Sequence, residues 1–425
     1  MVLTEPAAVG EGKAFVEANL RRNVLAISGE MGFFGLGLSL AATTTVLPAF
    51  ARELGASNLA IGALPAIMTV GWSLPSVLSA NFAERRERLL PLVLAVTIWE
   101  RVPYLAMALA AGLLALSQPT LALALTLLFF ALAAFAGGIF MPMWMAMIAK
   151  CIPARLRGRQ FALGGTLSAL AGVGGAGLAA YFLGNYPFPL SYALCFAAAF
   201  CGFAASFVLL LLVREQPLPV TRPPVPFADY VRRLPDVLRR DPGFMSYLVA
   251  RALTLGGTMG NGFLTVYALS RLDAGQEQVA IFTFFLLATQ TVSTIVWGQI
   301  ADRHGHRWVL MLGAVATVGS NLLALGAVEV WQMYPAFALL GAATGALNVS
   351  HFNMVLSFSP PAERPTYIGL GGTTMAPFAL FPPLLAGLLA DAQGFGAMFV
   401  AAAVLAGFSL AWLALAVSAR PEPAG

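Results

Sequence analysis

Long apolar runs alternate along the chain with short polar segments. A helix needs about 20 apolar residues to cross the hydrocarbon core of a bilayer, so each run predicts one membrane-spanning helix. The predicted spans are Asn23–Phe50, Asn58–Ala83, Leu89–Ser117, Pro119–Ala149, Gln160–Gly184, Leu190–Val213, Phe244–Leu269, Val279–Ala301, Trp308–Val328, Trp331–Phe358, Tyr367–Ala390 and Phe395–Val417. The pattern therefore predicts an all-α membrane protein with twelve transmembrane helices.

A proline-rich polar segment divides these helices into two groups of six. Its second part spaces apolar residues helically with arginines opposite, which is typical of a helix lying on an anionic membrane surface. A solvated linker is the alternative. The predicted regions are an N-terminal cytoplasmic segment (1–22), a first bundle (23–213), the cytoplasmic linker (214–242), a second bundle (243–418) and a cytoplasmic tail (419–425).

Composition and charge agree with this interpretation. Of 425 residues, 59% are hydrophobic and only 10% charged, too few charges for the surface of a soluble domain. The net charge of +5 arises because lysines and arginines gather in alternate polar segments, while the other loops hold only Arg52 and Arg271. This asymmetry predicts a multi-pass protein of the cytoplasmic (inner) membrane with both termini inside. Since topology explains the basic excess, we expect no nucleic-acid binding.

Several chemical functions lack the residues they need. The sequence has no nucleotide-binding loop, metal-ligand spacing or nucleophile constellation, so we expect no cofactor, no metal and no enzyme activity. The polar first 22 residues lack the apolar core of a signal peptide. Cys151, Cys195 and Cys201 are expected to be free thiols, because their predicted positions offer no disulfide framework.

The polar turn between the eighth and ninth predicted spans carries the most specific motif. Its residues Gly298, Asp302, Arg303, Gly305 and Arg307 follow the spacing G-x-x-x-D-R-x-G-x-R. Gly298 predicts close helix contact, and Gly305 predicts the positive φ of a tight turn. The run resembles the loop motif of the major facilitator superfamily, G-x-x-x-D-R-x-G-R-[RK], with a histidine where that family commonly has a basic residue.

A partial copy of this motif occurs in the first half. Ala80, Glu84 and Arg85 repeat it at an offset of 218 residues (298 − 80). Ala80 replaces the first glycine and Glu87 stands at the place of the turn glycine. We therefore do not expect this loop to work like its counterpart in the second half.

A second motif lies between the fourth and fifth predicted spans. Pro153, Arg157 and Gly158 resemble the P-x-x-x-R-G signature of the same superfamily, and a related run begins at Pro360, 207 residues later (360 − 153). The resemblance covers essentially the whole chain. It implies two pseudo-symmetric six-helix bundles (6+6), a central site between them and transport by alternating access.

Charged residues inside the spans are the first candidates for function, because each costs about 2.5–3.5 kcal/mol at a helix centre. Glu30 and Arg251 lie in the first span of each half. In the superfamily these two spans line the central cavity and face each other. The resemblance thus implies that Glu30 and Arg251 meet across the cavity or hold a substrate between them. A structural salt bridge that closes one gate is the alternative.

The third predicted span carries two adjacent charges, Glu100 and Arg101. Neighbouring side chains on a helix diverge by about 100°, so we do not expect these two to pair. Third helices of the superfamily usually lie outside the cavity. The resemblance therefore implies a packing role within the bundle.

Further candidates lie in the fourth, seventh and tenth predicted spans. His351 shares a helix face with Asn348, and a histidine can exchange a proton near neutral pH. A hydrogen-bonded histidine in a helix interface is the alternative. The 207-residue offset sets His351 opposite Trp144, which lies in a methionine-rich stretch suited to varied apolar ligands. If the protein instead takes up a sugar, organic acid or other metabolite, Asn261, Asn348 and Arg251 would be its polar contacts.

The resemblance predicts a secondary active transporter that exports a small amphipathic organic molecule by drug-type proton antiport. The expected partners are that substrate, protons and membrane lipids, and the expected state is a monomer. Proton-coupled uptake of a sugar, organic acid or other metabolite is an open alternative, as is a uniporter. A non-transporting sensor or a lipid-handling protein on the same scaffold is another. The lipid-handling alternative predicts a lateral opening between spans five and eight or two and eleven.

Overall fold

The computed structural model describes residues 5–83, 87–216, 238–359, 367, 370–372 and 374–417. These residues form helices joined by turns, with no strand among them. The helices are α1 (Glu5–Leu40), α2 (Val46–Glu53), α3 (Asn58–Ala83), α4 (Leu90–Leu114), α5 (Pro119–Cys151), α6 (Ala154–Asn185), α7 (Leu190–Leu211), α8 (Pro242–Gly257), α9 (Phe263–Arg271), α10 (Gln276–His304), α11 (His306–Gly326), α12 (Met333–Phe358), α13 (Ala376–Gln393) and α14 (Phe395–Leu415).

The helices confirm the predicted all-α fold of twelve spans. The first span comprises α1 and α2, and the seventh comprises α8 and α9. The eleventh comprises α13 preceded by helical residues at 367 and 370–372 and a turn at 374–375, and each other span is one helix. Within the described residues, nine helices are long and apolar enough to cross a membrane. Residues 217–237, with most of the predicted amphipathic helix, and the tail from 418 onward lie outside the described part of the chain.

The same packing occurs in both halves and gives the 6+6 layout. In the first half α1 packs on α7, α3 on α5, and α4 on both α5 and α7. In the second half α8 packs on α14, α10 on α12, and α11 on both α12 and α14. Equivalent helices therefore bury equivalent faces, as expected for a repeated bundle.

The chain begins its first helix earlier than predicted. The polar segment 1–22 was expected to precede the first span, yet α1 starts at Glu5. Its membrane-length part is Ala14–Leu40. From Lys13 to Arg22 this stretch consists mostly of good helix formers such as alanine, glutamate, leucine, lysine and arginine, which favour continuing the helix beyond the apolar run.

Two predicted spans are interrupted, which hydropathy alone did not reveal. Residues 41–45 separate α1 from α2, and residues 258–262 separate α8 from α9. Three consecutive threonines stand at the first break and glycines stand at and before the second, residue types that favour a helix less than alanine or leucine. The two breaks occur at equivalent positions of the two halves.

These breaks lie at one end of the molecule, which we call the distal end. The opposite end, called the linker end, holds the ends of α7 and α8 that flank the linker and the turn between α10 and α11. At the distal end the Thr45 and Thr283 hydroxyls lie 2.5 Å apart, and Thr265 Oγ1 donates to the Thr44 carbonyl at 3.1 Å. The two interrupted spans thus bond to polar groups of the opposite half across the seam.

A second set of cross-half contacts joins α3 to α13. Asn58 Nδ2 donates to Asp391 Oδ1 at 2.7 Å. Gly387 packs so closely that a Cβ there would stand 2.6 Å from the Asn58 carbonyl oxygen, and a Cβ on Gly62 would overlap the Pro383 carbonyl. This close approach requires glycine at both positions.

The hydrophobic cores show that the halves separate toward the linker end. The largest core cluster includes residues of both halves around the distal contacts. The linker-end clusters are confined to one half each. The structure therefore describes a molecule closed at its distal end and open between the halves at its linker end.

Candidate functional site

A buried cluster of three charges lies inside the first half. Arg101 of α4 bonds Glu30 of α1 through Nη2 at 3.2 Å and Glu100 of α4 through Nη1 at 3.1 Å. The three residues are 2%, 2% and 5% exposed in that order. Removing a charge from water is costly unless the charge is paired and hydrogen bonded. The ion pairs between Arg101 and the two carboxylates offset that cost.

The remaining donors of Arg101 are also used. Nε donates to the Phe203 carbonyl at 3.0 Å, Nη2 donates to Ser206 Oγ at 2.8 Å, and Nη1 donates to the Thr97 carbonyl at 3.3 Å. Its guanidinium lies 5.5 Å from the Phe34 ring centroid. Arg101 therefore ties α1, α4 and α7 together at one point.

The expectation that Glu100 and Arg101 do not pair is wrong. Helical side chains lean toward the N-terminus of their helix, and the long arginine folds back over the preceding turn to the Thr97 carbonyl. There it meets Glu100, which accepts a further hydrogen bond from Thr97 Oγ1 at 3.2 Å. The reach of the arginine compensates for the angle between the two Cα–Cβ bonds.

The structure also does not pair Glu30 with Arg251. Glu30 bonds Arg101 within its own half, whereas Arg251 Nη1 donates to the Gly371 carbonyl at 2.6 Å in the other half. Opening at the linker end separates the faces on which they lie. The pairing across the cavity is thus absent from this open arrangement of the described residues.

The charge count of the first-half cluster is uneven. Glu30 and Glu100 together carry two negative charges when ionised, and Arg101 supplies one positive charge. Trp144 of α5 lies beside Glu30, and its buried indole N–H has no hydrogen-bond partner among the described residues. A single proton on one carboxylate would make the cluster neutral.

Gly137 of α5 limits the space around this cluster. A Cβ there would stand 2.8 Å from Glu100 Oε1 and 3.0 Å from Trp72 Nε1. A void of about 10 Å³, roughly the space one water needs, adjoins Glu100 between Phe34 and Trp72. Glycine is therefore needed at 137 to leave the carboxylate in place.

A second polar cluster lies in the other half. The Tyr247 hydroxyl of α8 is 2.5 Å from His351 Nδ1 and 3.1 Å from the His351 carbonyl oxygen on α12. A hydroxyl has one proton, so Tyr247 donates to only one of these two groups. When it donates to the His351 carbonyl, its oxygen accepts a hydrogen bond from Nδ1–H. Arg251 lies one turn further along α8 and is half-buried.

The other predicted contacts are dispersed. Asn348 is exposed on α12, and Asn261 is half-buried in the break between α8 and α9. Trp144 packs against Phe161 and Phe140 of its own half. The structure thus brings Trp144 to Glu30 and His351 close to Tyr247, rather than gathering all candidates in one place.

The main motif forms a tight turn between α10 and α11. Gly305 has φ +86°, which confirms the predicted positive φ. Gly298 was expected to make close helix contact, but a Cβ built there meets nothing within 4 Å among the described residues. Asp302 and Arg303 are exposed in this open arrangement. Arg307 donates to the Leu413 and Ala414 carbonyls at 2.8 and 2.6 Å, capping the C-terminus of α14.

Of the motif residues predicted in the first half, the structure describes Arg157 and Gly158, whereas Glu84 and Arg85 lie outside the described residues. Arg157 donates to the Ile152 and Ala149 carbonyls at 3.0 and 2.7 Å and so caps the C-terminus of α5. Gly158 lies within α6, which begins at Ala154 rather than at the predicted Gln160.

Tyr247 and Glu215 link separate parts of the chain by hydrogen bonds and were not among the residues identified from the sequence. Tyr247 gave a usable signal, because it stands four residues before Arg251 and so shares its helix face. Glu215 gave none: its carboxylate accepts from the backbone N–H groups of Leu89 and Leu90 at 2.7–2.8 Å, a contact across 125 residues of sequence. It caps the N-terminus of α4 from the chain that follows α7.

Comparison with known proteins gives a consistent picture. A family model described as Major Facilitator Superfamily matches residues 31–289 and 254–425. The chain is 28% identical over 151 residues to a "Multidrug resistance protein MdtG" of Dickeya zeae, covering 34% of this chain and 36% of that protein. It is 32% identical over 158 residues to the protein of that name in Yersinia enterocolitica, covering 35% and 37%. These matches span about a third of each curated relative.

A solved structure shares the fold over nearly the whole chain. The crystal structure of a mutant of the nucleoside transporter NupG superposes with a TM-score of 0.70 and covers 92% of this chain and 98% of that one. The sequences are 14% identical, so the similarity concerns the fold alone.

Proposed function

Because the chain belongs to the major facilitator superfamily, whose members are transporters rather than enzymes, we propose that it is a secondary active transporter driven by protons. Its substrate is a small amphipathic organic molecule, which it exports by drug-type antiport. The names of the multidrug-resistance and efflux relatives support this direction and class. Alternating access would close the linker end and open the distal end in each cycle.

The observation that carries proton coupling is the uneven charge of the cluster around Arg101. Two carboxylates share one guanidinium inside a membrane-spanning bundle, and net charge is costly there. One proton removes the excess charge. Glu30 is its carrier in this proposal, because Glu100 accepts from both Arg101 Nη1 and Thr97 Oγ1, which stabilise its ionised form, whereas Glu30 accepts from Arg101 Nη2 alone among the described residues.

The position of Glu30 on α1 gives the proton a route to the gate. The same span continues through the break to Thr44 and Thr45, which bond the second half at the distal end. A proton on Glu30 weakens the tie between α1 and Arg101, so α1 is freer to move against α4. Release of the proton restores the tie and the distal closure with it.

The test is transport by purified protein in liposomes with an imposed pH gradient. Glu30→Gln removes the exchangeable proton while keeping the shape of the side chain. We expect loss of pH-driven accumulation and retention of downhill exchange. Glu53→Gln, an exposed carboxylate at the end of α2, is the matched control and should behave like the wild type. Accumulation by Glu30→Gln at the wild-type level would contradict the assignment of the proton to Glu30. Glu100 and His351 would then be the next candidates for the proton carrier.

The same gradient separates export from the second candidate, proton-coupled uptake of an organic acid. The cation Arg251, which bonds only a backbone carbonyl among the described residues, favours that candidate. In antiport the substrate moves against the proton flow and gathers on the acidic side. In symport it moves with the protons and gathers on the alkaline side. The lipid-handling alternative receives no support, since α3 packs on α13 and α6 on α10 along both seams where it predicts an opening.

We also propose that the linker end faces the cytoplasm of a cell with this protein in its inner membrane. Lysine and arginine are strongly enriched in the segments assigned to that end. A tag after Gly425 should be inaccessible to an impermeant label in intact cells and accessible after permeabilisation. Labelling in intact cells would reverse the orientation.

A further inference from the structure

Arg251 is a cation inside a membrane-spanning helix and has no anionic partner among the described residues. Its Nη1 donates to the Gly371 carbonyl, and in that part of the chain no carboxylate lies within ion-pair distance of its guanidinium. The ion pairs found between two described residues all lie in the first half or in the residues that directly follow it. A guanidinium carries five N–H donors in a planar fork, so most of its donor capacity remains for a ligand.

Its location makes it reachable from water. Arg251 lies roughly 14 Å, or about two and a half turns, from the start of α8 at Pro242. The structure is open between the halves at that end, and the side chain is half-buried rather than enclosed. We therefore expect a solute that enters from the linker end to reach the guanidinium.

The neighbouring groups make this a preformed polar corner. Tyr247, one turn earlier on α8, is 1% exposed and is fixed by its two contacts with His351 of α12. The two rings stack with an interplanar angle of 21°. Arg251 is anchored on its other side by the Gly371 carbonyl. Three parts of the chain thus hold this corner in place before any ligand arrives.

We propose that Arg251 is the anion-binding subsite of the transporter and that its substrates are amphipathic organic anions. This inference rests on the proposed function and specifies its substrate class. A carboxylate, sulfonate or phosphonate oxygen accepts from the free guanidinium N–H groups, while the apolar body of the ligand lies between the halves. The proton cluster and the anion subsite then occupy different halves, so one ligand does not displace the other.

The experiment uses two dyes with the same ring system. 8-Anilino-1-naphthalenesulfonate carries a sulfonate, and N-phenyl-1-naphthylamine lacks it; both become fluorescent in apolar surroundings. Binding of each is titrated with purified protein in lipid nanodiscs and corrected with protein-free nanodiscs. Arg251→Gln should weaken sulfonate-dye binding about tenfold or more, as expected for a hydrogen bond to a charged group, and leave the neutral dye within about twofold. Arg251→Lys should recover part of the loss because it restores the charge without the fork.

Arg271→Gln, at the distal end of α9 in the same half, is the matched control and should bind both dyes like the wild type. Equal affinity of Arg251→Gln and wild type for the sulfonate dye overturns the anion subsite. If the wild type also carries the neutral dye across liposomes in that case, the proposed function stands without it. If the wild type neither binds nor moves either dye, both proposals are overturned.

Discussion

The third spans of both halves carry a group of polar side chains, but only the group in the first half contains charged residues. The α4 residues Thr97, Glu100 and Arg101 and the α11 residues Thr317, Ser320 and Asn321 have the same spacing i, i+3, i+4 along their helices. Asn321 Nδ2 donates to the Thr317 carbonyl at 2.8 Å, as Arg101 Nη1 donates to that of Thr97 at 3.3 Å. A neutral amide therefore suffices for this position of the bundle.

Because Asn321 occupies α11 where Arg101 occupies α4, packing a third span into its bundle does not require an arginine. In the second half, the corresponding helices pack without any buried ion pair among the described residues. Arg101 pairs with two carboxylates, Glu30 and Glu100, and no such pair occurs between described residues of the corresponding second-half helices. The second half instead keeps its cation, Arg251, on the side where the halves separate.

The largest expected effect follows from removing Arg101. Arg101→Met leaves Glu30 and Glu100 without their counter-charge and should lower the free energy of unfolding by about 3–5 kcal/mol. Asn321→Leu removes the corresponding neutral bonds and should cost about 1–2 kcal/mol. Denaturation in detergent, followed by circular dichroism, measures both. Equal losses in the two variants would remove the contrast between the halves.

The next effect concerns the seam where the halves meet. Asn58→Ala removes the bond to the Asp391 carboxylate, worth about 1.5–3 kcal/mol for a charged acceptor, from the distal-closed state only. The population should shift toward distal opening by about tenfold or more. Spin labels at positions 52 and 271, one in each half at the distal end, report the shift as a longer distance. Glu329→Gln, whose contacts stay within the second half, should leave that distance unchanged.

A smaller effect is expected at the motif loop. Asp302 is exposed while the linker end is open, so we expect its contacts to form only when that end closes. Asp302→Asn should lower turnover about tenfold, or about 1.4 kcal/mol in the barrier, without changing substrate affinity. Asp273→Asn is the control, since asparagine tolerates its φ of +52°. Wild-type turnover of Asp302→Asn in proteoliposomes would exclude this role.

The smallest effect tests the two linker-end caps. Glu215 caps α4 in the first half, and Arg307 caps α14 in the second. Glu215→Gln and Arg307→Gln should each lower the free energy of unfolding by about 1 kcal/mol, as expected when a charged cap at a helix end is neutralised. Denaturation in detergent measures both losses. A much larger loss in only one of them would show that the halves are fastened with different strength.

The fold was largely predictable because span length and apolar composition are local properties of the sequence. The interruptions after Leu40 and Gly257 were not, since a short break leaves the hydropathy of a run unchanged. The positive φ of Gly305 was predictable from residue type, whereas the open space at Gly298 depends on which helices pack beside it, and a loop motif does not specify that.

The sequence identified the charged residues of the candidate site but not which of them pair with each other. Charge inside an apolar run identified Glu30, Glu100, Arg101 and Arg251. Which carboxylate meets which arginine depends on how α1, α4 and α7 are arranged around one another, and on the reach of a side chain that folds back along its helix. Neither quantity is encoded in the spacing of residues along one span.

The distal closure between the two interrupted spans has a consequence for the medium in which the protein works. Its direct bonds at the breaks are made by threonine hydroxyls and a backbone carbonyl, and no ion pair joins the halves among the described residues. Mobile ions screen charges and leave neutral hydrogen bonds almost unaffected. The closure at the two breaks should therefore hold equally well in dilute and in saline surroundings, while the opposite mouth, rimmed by Asp302 and Arg303, responds to the ionic strength of its own compartment.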